Sequence, residues 1–152
     1  MLDYLMYIEE AFGIDRIKPY SSRTKQELSY YYKIYNSDVA LNSIRVTDGR
    51  YDLNHNLENI VYNELLFMGY DLRVFNDSES EVDFVVQKDG KKFYVQVAFS
   101  VQNEKAWNRE FKAFEKLDNL NQKILITTDE LDYSTSVVKH IKLKDFLLLE
   151  SL

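Results

Sequence analysis

No cysteine occurs anywhere in the chain. Its absence excludes disulfide frameworks, thiolate metal sites and cysteine nucleophiles, and it suits a reducing cytosol. Histidine is nearly as scarce. His55 and His140 stand 85 residues apart and neither belongs to a ligand-spaced pair, so a zinc site is not expected. No Gly-x-x-x-x-Gly-Lys-Ser/Thr stretch is present, so the chain cannot by itself be a P-loop ATPase. Long apolar runs are missing too: Phe146 to Leu149 falls far short of the roughly 20 residues that cross a bilayer. Asp3, Glu9 and Glu10 stand where a signal peptide would be basic, so a cytoplasmic protein with no membrane role is expected. Positive charge is in deficit, with 19 Lys and Arg against 25 Asp and Glu and a net charge of -6. Bulk attraction to DNA or to an acidic membrane is thereby excluded, and any nucleic-acid contact needs a local basic patch.

What is present is a globular balance of 45% hydrophobic and 29% charged residues over 152 positions, enough for one domain with its own core. Residues 2–12 read as a helix with Leu2, Leu5, Met6 and Ile8 crowding one side. The run of Tyr30, Tyr31, Tyr32, Ile34 and Tyr35 favours a strand. A short helix is expected over 38–44 and a loop over 46–53. From Leu53 the pattern sharpens, because Leu57, Ile60, Val61, Leu65 and Met68 recur at helical spacing until Gly69. Tyr70–Phe75, Val82–Val86 and Phe93–Phe99 read as strands, the first two joined by a polar turn at Asn76–Ser80. The last two are joined by the hairpin signal Asp89-Gly90. A helix over 103–117, strands at Lys123–Thr127 and Val137–Ile141 and a helix over Leu143–Leu149 complete the chain. The order implies an α/β domain, a mixed sheet with helices on its faces, in which 1–52 is an extension packed on a 53–152 core.

Three polar positions interrupt this pattern where chemistry could sit. Glu58 lies at the edge of the apolar face of the 53–68 helix, Asp83 breaks an apolar strand, and Gln96 lies in the next strand. A tight hairpin brings Asp83 and Gln96 close on adjacent antiparallel strands, with Glu58 on a helix over the same sheet. A helix glutamate, a hairpin aspartate, then Glu-x-Lys and a helix resembles the PD-(D/E)xK nuclease fold. The resemblance implies a restriction-endonuclease-like core in which Glu58, Asp83 and Gln96 hold Mg²⁺ and activate a water for phosphodiester cleavage.

A closer resemblance covers most of the chain. Leu57 to Leu65 with Gly69-Tyr70, Glu81 to Val85, Tyr94 to Ala98 and Arg109-Glu110-Phe111 are similar to the C-terminal domain, of unknown function, of bacterial and archaeal AAA-type ATPases. Tyr4 to Ala11 and Tyr32 to Leu41 are similar to the segment that precedes that domain. The resemblance implies a partner, an ATPase module in the same chain or a separate one. The motif is depleted: Gln-Val-Ala stands where Glu-x-Lys is expected. Gln96 brings an oxygen without a charge and Ala98 brings no donor, so Mg²⁺ would be held weakly.

On the 103–117 helix Lys105, Arg109, Lys112 and Lys116 line up opposite Trp107, Phe111 and Phe114. They form either a solvated face or a stripe that meets DNA phosphates. Lys139, His140, Lys142 and Lys144 pose the same alternative. Glu64 falls inside an apolar stripe and calls for a partner there. Tyr30 to Tyr35 could stack on bases or pack on a sheet. Three functions follow: a nuclease-fold domain that contacts nucleic acid with weak or lost catalysis, an interaction module of an ATPase (with a homo-oligomer as one arrangement), or a Mg²⁺-dependent endonuclease with a reduced site.

Overall fold

The computed structural model describes residues 2–20, 33–44, 52–77 and 80–152. Helix α1 spans Leu2–Glu10, followed by strands β1 (Ile14–Ile17), β2 (Pro19–Tyr20) and β3 (Lys33–Asn36) and the single turn α2 (Leu41–Ile44). Then come α3 (Leu53–Phe67), β4 (Asp71–Asp77), β5 (Ser80–Lys88), β6 (Lys91–Ala98), α4 (Glu104–Glu115), β7 (Gln122–Thr127), β8 (Val138–Lys142) and α5 (Leu143–Phe146). The main sheet has the order β2-β4-β5-β6-β7-β8. Its β4–β5–β6 part is antiparallel and β6–β7–β8 is parallel. Strands β1 and β3 form a separate antiparallel pair. The expected mixed sheet flanked by helices is what the chain builds.

Local chemistry explains the main elements. Asp52 caps α3 by accepting from the His55 N–H at 3.1 Å, and Gly69 leaves the helix at φ +84°, a conformation that side chains with a Cβ resist. Asn103 caps α4 in the same way through Ala106 N at 2.8 Å. Asp89 and Gly90 both take positive φ, as a two-residue hairpin turn of the primed type requires. One core lies between α3 and the sheet, with Leu57, Val61 and Leu65 of the helix on Phe84, Val95 and Ile124. A smaller core lies on the other face, where Phe114, Trp107 and Phe111 of α4 meet Val85, Tyr94 and Leu125.

The ends of elements depart from expectation. Helix α1 stops at Glu10 because Phe12 takes φ +56° and Gly13 N bonds back to Ile8 O. Of the turn expected over Asn76–Ser80, Asn76 and Asp77 belong to β4 and Ser80 opens β5, and residues 78 and 79 lie outside the described residues. Helix α5 is one turn, not the seven residues anticipated. Of the Tyr-rich strand, Tyr30 to Tyr32 lie outside the described residues, as does most of the 46–53 loop.

The N-terminal extension is fastened to the core by asparagines. Asn59 is fully buried on α3; its Oδ1 accepts from Asn36 N at 3.0 Å and its Nδ2 donates to Asn36 O at 2.8 Å. The side-chain amide thus mimics a neighbouring strand for the end of β3. Asn42 of α2 donates to the same Oδ1 and accepts from Asn36 Nδ2. Removing one side of a buried pair strands the other, at about 1–3 kcal/mol per group. Asn59→Ala is therefore expected to lower unfolding free energy by about 2–4 kcal/mol. A urea midpoint unchanged from the parent would show that the clamp is dispensable.

Candidate functional site

The site begins with a fault in the sheet. Strands β4 and β5 pair Arg73 with Val85 and Phe75 with Val82, so Asp83 and Phe84 together face the single residue Val74. This is a β-bulge, a feature that re-aims side chains. Strict alternation would put Val82 and Phe84 on one face. Instead Val82 and Val85 both join the α4-side core, while Phe84 joins the α3-side core. Asp83 is turned by the bulge toward α3 and its Glu58.

Asp83 is buried, and its two oxygens are both used. Oδ2 accepts from Val97 N at 2.9 Å and Oδ1 from Lys33 Nζ at 3.2 Å. Half-buried Glu58 accepts at Oε2 from the same Lys33 Nζ at 3.3 Å and from Tyr35 OH at 3.2 Å. Lys33 and Tyr35 are two residues apart in β3, so they leave the strand on one side and reach Glu58 together. One ammonium thus bridges the two carboxylates, with Glu81 3.9 Å away.

Gln96 stands differently. It leaves β6 with Tyr94 and Ala98 toward the α4 face, while Glu58 lies on the α3 side. Backbone pairing between β5 and β6 runs from Lys88↔Lys91 to Phe84↔Val95, and beyond it side chains take over. Gln96 Oε1 accepts from Asp83 N at 3.2 Å and its Nε2 donates to Glu110 Oε2 at 2.8 Å. Buried Glu110 in turn accepts from Arg109 Nη2 at 2.6 Å. Glu58, Asp83, Gln96, Glu110, Lys33, Arg109 and Lys112 all line one pocket of about 570 Å³.

Burial, and then the Glu58 carboxylate, raise the Asp83 carboxyl to about 7; Lys33 and the Val97 N–H oppose the rise. Burial works against a charged Lys33, but Asp83 and Glu58 outweigh it and the net shift is upward. The Tyr35 hydroxyl is pushed up by burial and by both acids, so it stays a donor.

The Mg²⁺ set expected of Glu58, Asp83 and Gln96 does not fit this arrangement. The amide oxygen of Gln96 is taken by a backbone N–H, and Lys33 Nζ holds the place between the two acids. Among the described residues no three His, Asp or Glu side chains converge to hold a metal ion. Ala98 is packed in the α4-side core.

The basic stripe divides. Arg109 and Lys112 reach the pocket, whereas Lys105 and Lys116 do not line it. In the second cluster His140 is buried and its Nε2 lies 2.9 Å from Thr127 Oγ1, Lys142 and Lys144 pair with Glu130 at the surface, and Lys139 is exposed. Glu64 is only half-buried, so its place in the stripe carries a smaller cost than full burial. Tyr35 is enclosed and stacked on Tyr62 at 4.5 Å, out of reach of a base. Sequence reasoning missed Lys33 and gave neither Tyr35 nor Glu110 a place in this site. A lysine two residues from Tyr35 in an aromatic strand, and a glutamate beside Arg109, were the available signals.

The raised Asp83 carboxyl sets a pH dependence. Between the unfolded value near 4 and the folded value of about 7, the folded protein holds a proton that the unfolded chain has lost. This contribution is full below pH 4 and falls away as pH rises through 7. Asp83→Asn lacks it, and at pH 8 should match or exceed the parent, by on the order of 1 kcal/mol. Urea midpoints at pH 5 and pH 8 check this; a variant much weaker than the parent at pH 8 would contradict it.

Residues 54–146 match the family described as a domain of unknown function (DUF4143). An uncharacterized protein of Haemophilus influenzae is 35% identical over 98 residues, 64% of this chain and 24% of that protein. The chain therefore spans about a quarter of the length of the relative it matches. The family match takes in α3, the bulged strand and α4, well over half of the chain, and the chain belongs to this family of domains of unknown function.

Proposed function

We propose that the chain is a nuclease-fold domain that contacts nucleic acid at this pocket, with weak or lost catalysis, in the service of an AAA-type ATPase. The observation that carries the reading is the meeting of Glu58, Asp83 and Gln96 in one pocket with Arg109 and Lys112. An acidic protein can meet a phosphate backbone only through such a local group, and Arg109, 69% exposed at its side chain, is placed to do so. Scarce free oxygen ligands and Ala98 at the lysine position account for the weakness of catalysis. The ATPase rests on the sequence resemblance, and the greater length of the Haemophilus relative is compatible with a further module there.

Anisotropy of a labelled duplex and a labelled four-way junction tests the contact. Binding at low salt is expected to weaken several-fold in Arg109→Ala and in Lys112→Ala, each lowering the salt slope by about 1. Binding that ignores both changes would remove the nucleic-acid role. Incubation with millimolar Mg²⁺ should leave plain duplex DNA intact. Robust cleavage abolished by Asp83→Ala would instead establish the reduced-site endonuclease.

One observation favours an interaction module. On α1 and just beyond it, Tyr4, Met6, Tyr7, Ile8 and Phe12 are exposed, Phe12 at 84%. Such an apolar face suits an ATPase module or a second copy of the chain. If it serves a partner, Tyr7→Ser with Phe12→Ser should change stability by no more than about 0.5 kcal/mol each while reducing self-association or binding to the ATPase module in sedimentation. A loss of several kcal/mol would assign these residues to the domain's own core.

A further inference from the structure

The Glu58–Asp83 pair already has a cation, and it comes from outside the helix–hairpin–helix pattern. Lys33 Nζ stands 3.3 Å from Glu58 and 3.2 Å from Asp83, on a strand fastened to α3 by the Asn36–Asn59 bonds. We propose that Lys33 is the resident cation of this centre and excludes divalent metal from it: a metal ion can use Glu58 and Asp83 only when the Lys33 ammonium withdraws.

The charge of the pocket supports this. Its lining holds Lys33, Arg109 and Lys112 against Glu58, Glu81, Asp83 and Glu110, leaving a single negative charge in excess when Asp83 is ionised and none when it holds a proton. Arg109 is already engaged by Glu110. A divalent ion added beside Lys33 would reverse the sign of the pocket and meet a like charge at close range, where Coulomb repulsion in a partly buried site is strong. Displacing Lys33 first would cost its ion pairs with Glu58, Asp83 and Glu81 and leave the ligand set incomplete, because Gln96 Oε1 is held by Asp83 N. Both routes disfavour the metal. With Lys33 gone, the Glu58 and Asp83 carboxylates would have no cation between them, and a proton on Asp83 or an oxygen-loving cation would take its place.

Lys33, Glu58 and Asp83 meet without nucleic acid, so metal binding can be read in its absence. Mn²⁺ is titrated into the parent, Lys33→Met and Lys33→Met with Asp83→Asn at neutral pH, with free Mn²⁺ read by electron paramagnetic resonance. Lys33→Met is expected to bind one Mn²⁺ at least tenfold more tightly than the parent, and the double variant to lose that gain. Equal affinity in parent and Lys33→Met, or no binding in either, would overturn the proposal. Circular dichroism establishes that each variant is folded. Should Lys33→Met not fold, the parent decides: its Lys33 ammonium should give a resolved, slowly exchanging NMR signal that persists in millimolar Mg²⁺. An absent signal, or one displaced by Mg²⁺, would refute it.

Discussion

Two hydrogen bonds between the Asn59 side chain and the main chain of Asn36 hold the arrangement on which the site depends. A buried amide matched to a peptide N–H and C=O leaves neither group unsatisfied and admits one register. That register carries Lys33 and Tyr35 to Glu58, one residue before Asn59 on α3. The extension is therefore part of the site as well as a cover for the core. Glu58 without β3 would lose the Lys33 and Tyr35 donors.

The second constraint is the bulge at Asp83–Phe84. It removes a backbone pairing and offers Asp83 to α3, and the Asp83 and Gln96 side chains take up the buried N–H groups of Val97 and Asp83. Polar side chains thus stand in for ladder bonds where the ladder ends. The cost appears in Asp83, whose carboxyl is raised by burial and by Glu58 and is kept in check by Lys33. An apolar residue at Asp83 alone would strand the Val97 N–H and the Lys33 ammonium, whereas a domain held together only for stability would do as well with apolar residues in place of the whole group. Keeping a buried acid pair and a lysine is what gives this pocket its chemical interest.

Much of the fold was legible along the chain. The helical stripe from Leu57 to Met68, the hairpin at Asp89-Gly90 and the capped α4 each rest on interactions within a few residues. Element ends were less so, because where a helix such as α1 or α5 stops depends on one residue's φ or on packing from elsewhere. Glu58, Asp83 and Gln96 were visible as polar breaks in apolar patterns, and they do line one pocket. Their faces were not visible. Alternation counted from Val82 carries no sign of a bulge that is defined only by pairing with β4.

The sequence alone determined that the chain builds a mixed sheet with a helix on each face, without thiol chemistry or a P-loop. Those properties follow from periodicity and from residue types that are present or absent. Only the tertiary structure decided that Lys33 bridges Glu58 and Asp83, that Gln96 turns to Glu110, and that His140 is a core residue. Lys33 and Asp83 are fifty residues apart. Contacts at that separation are set by how the strands and α3 dock, and short-range patterns hold no record of it.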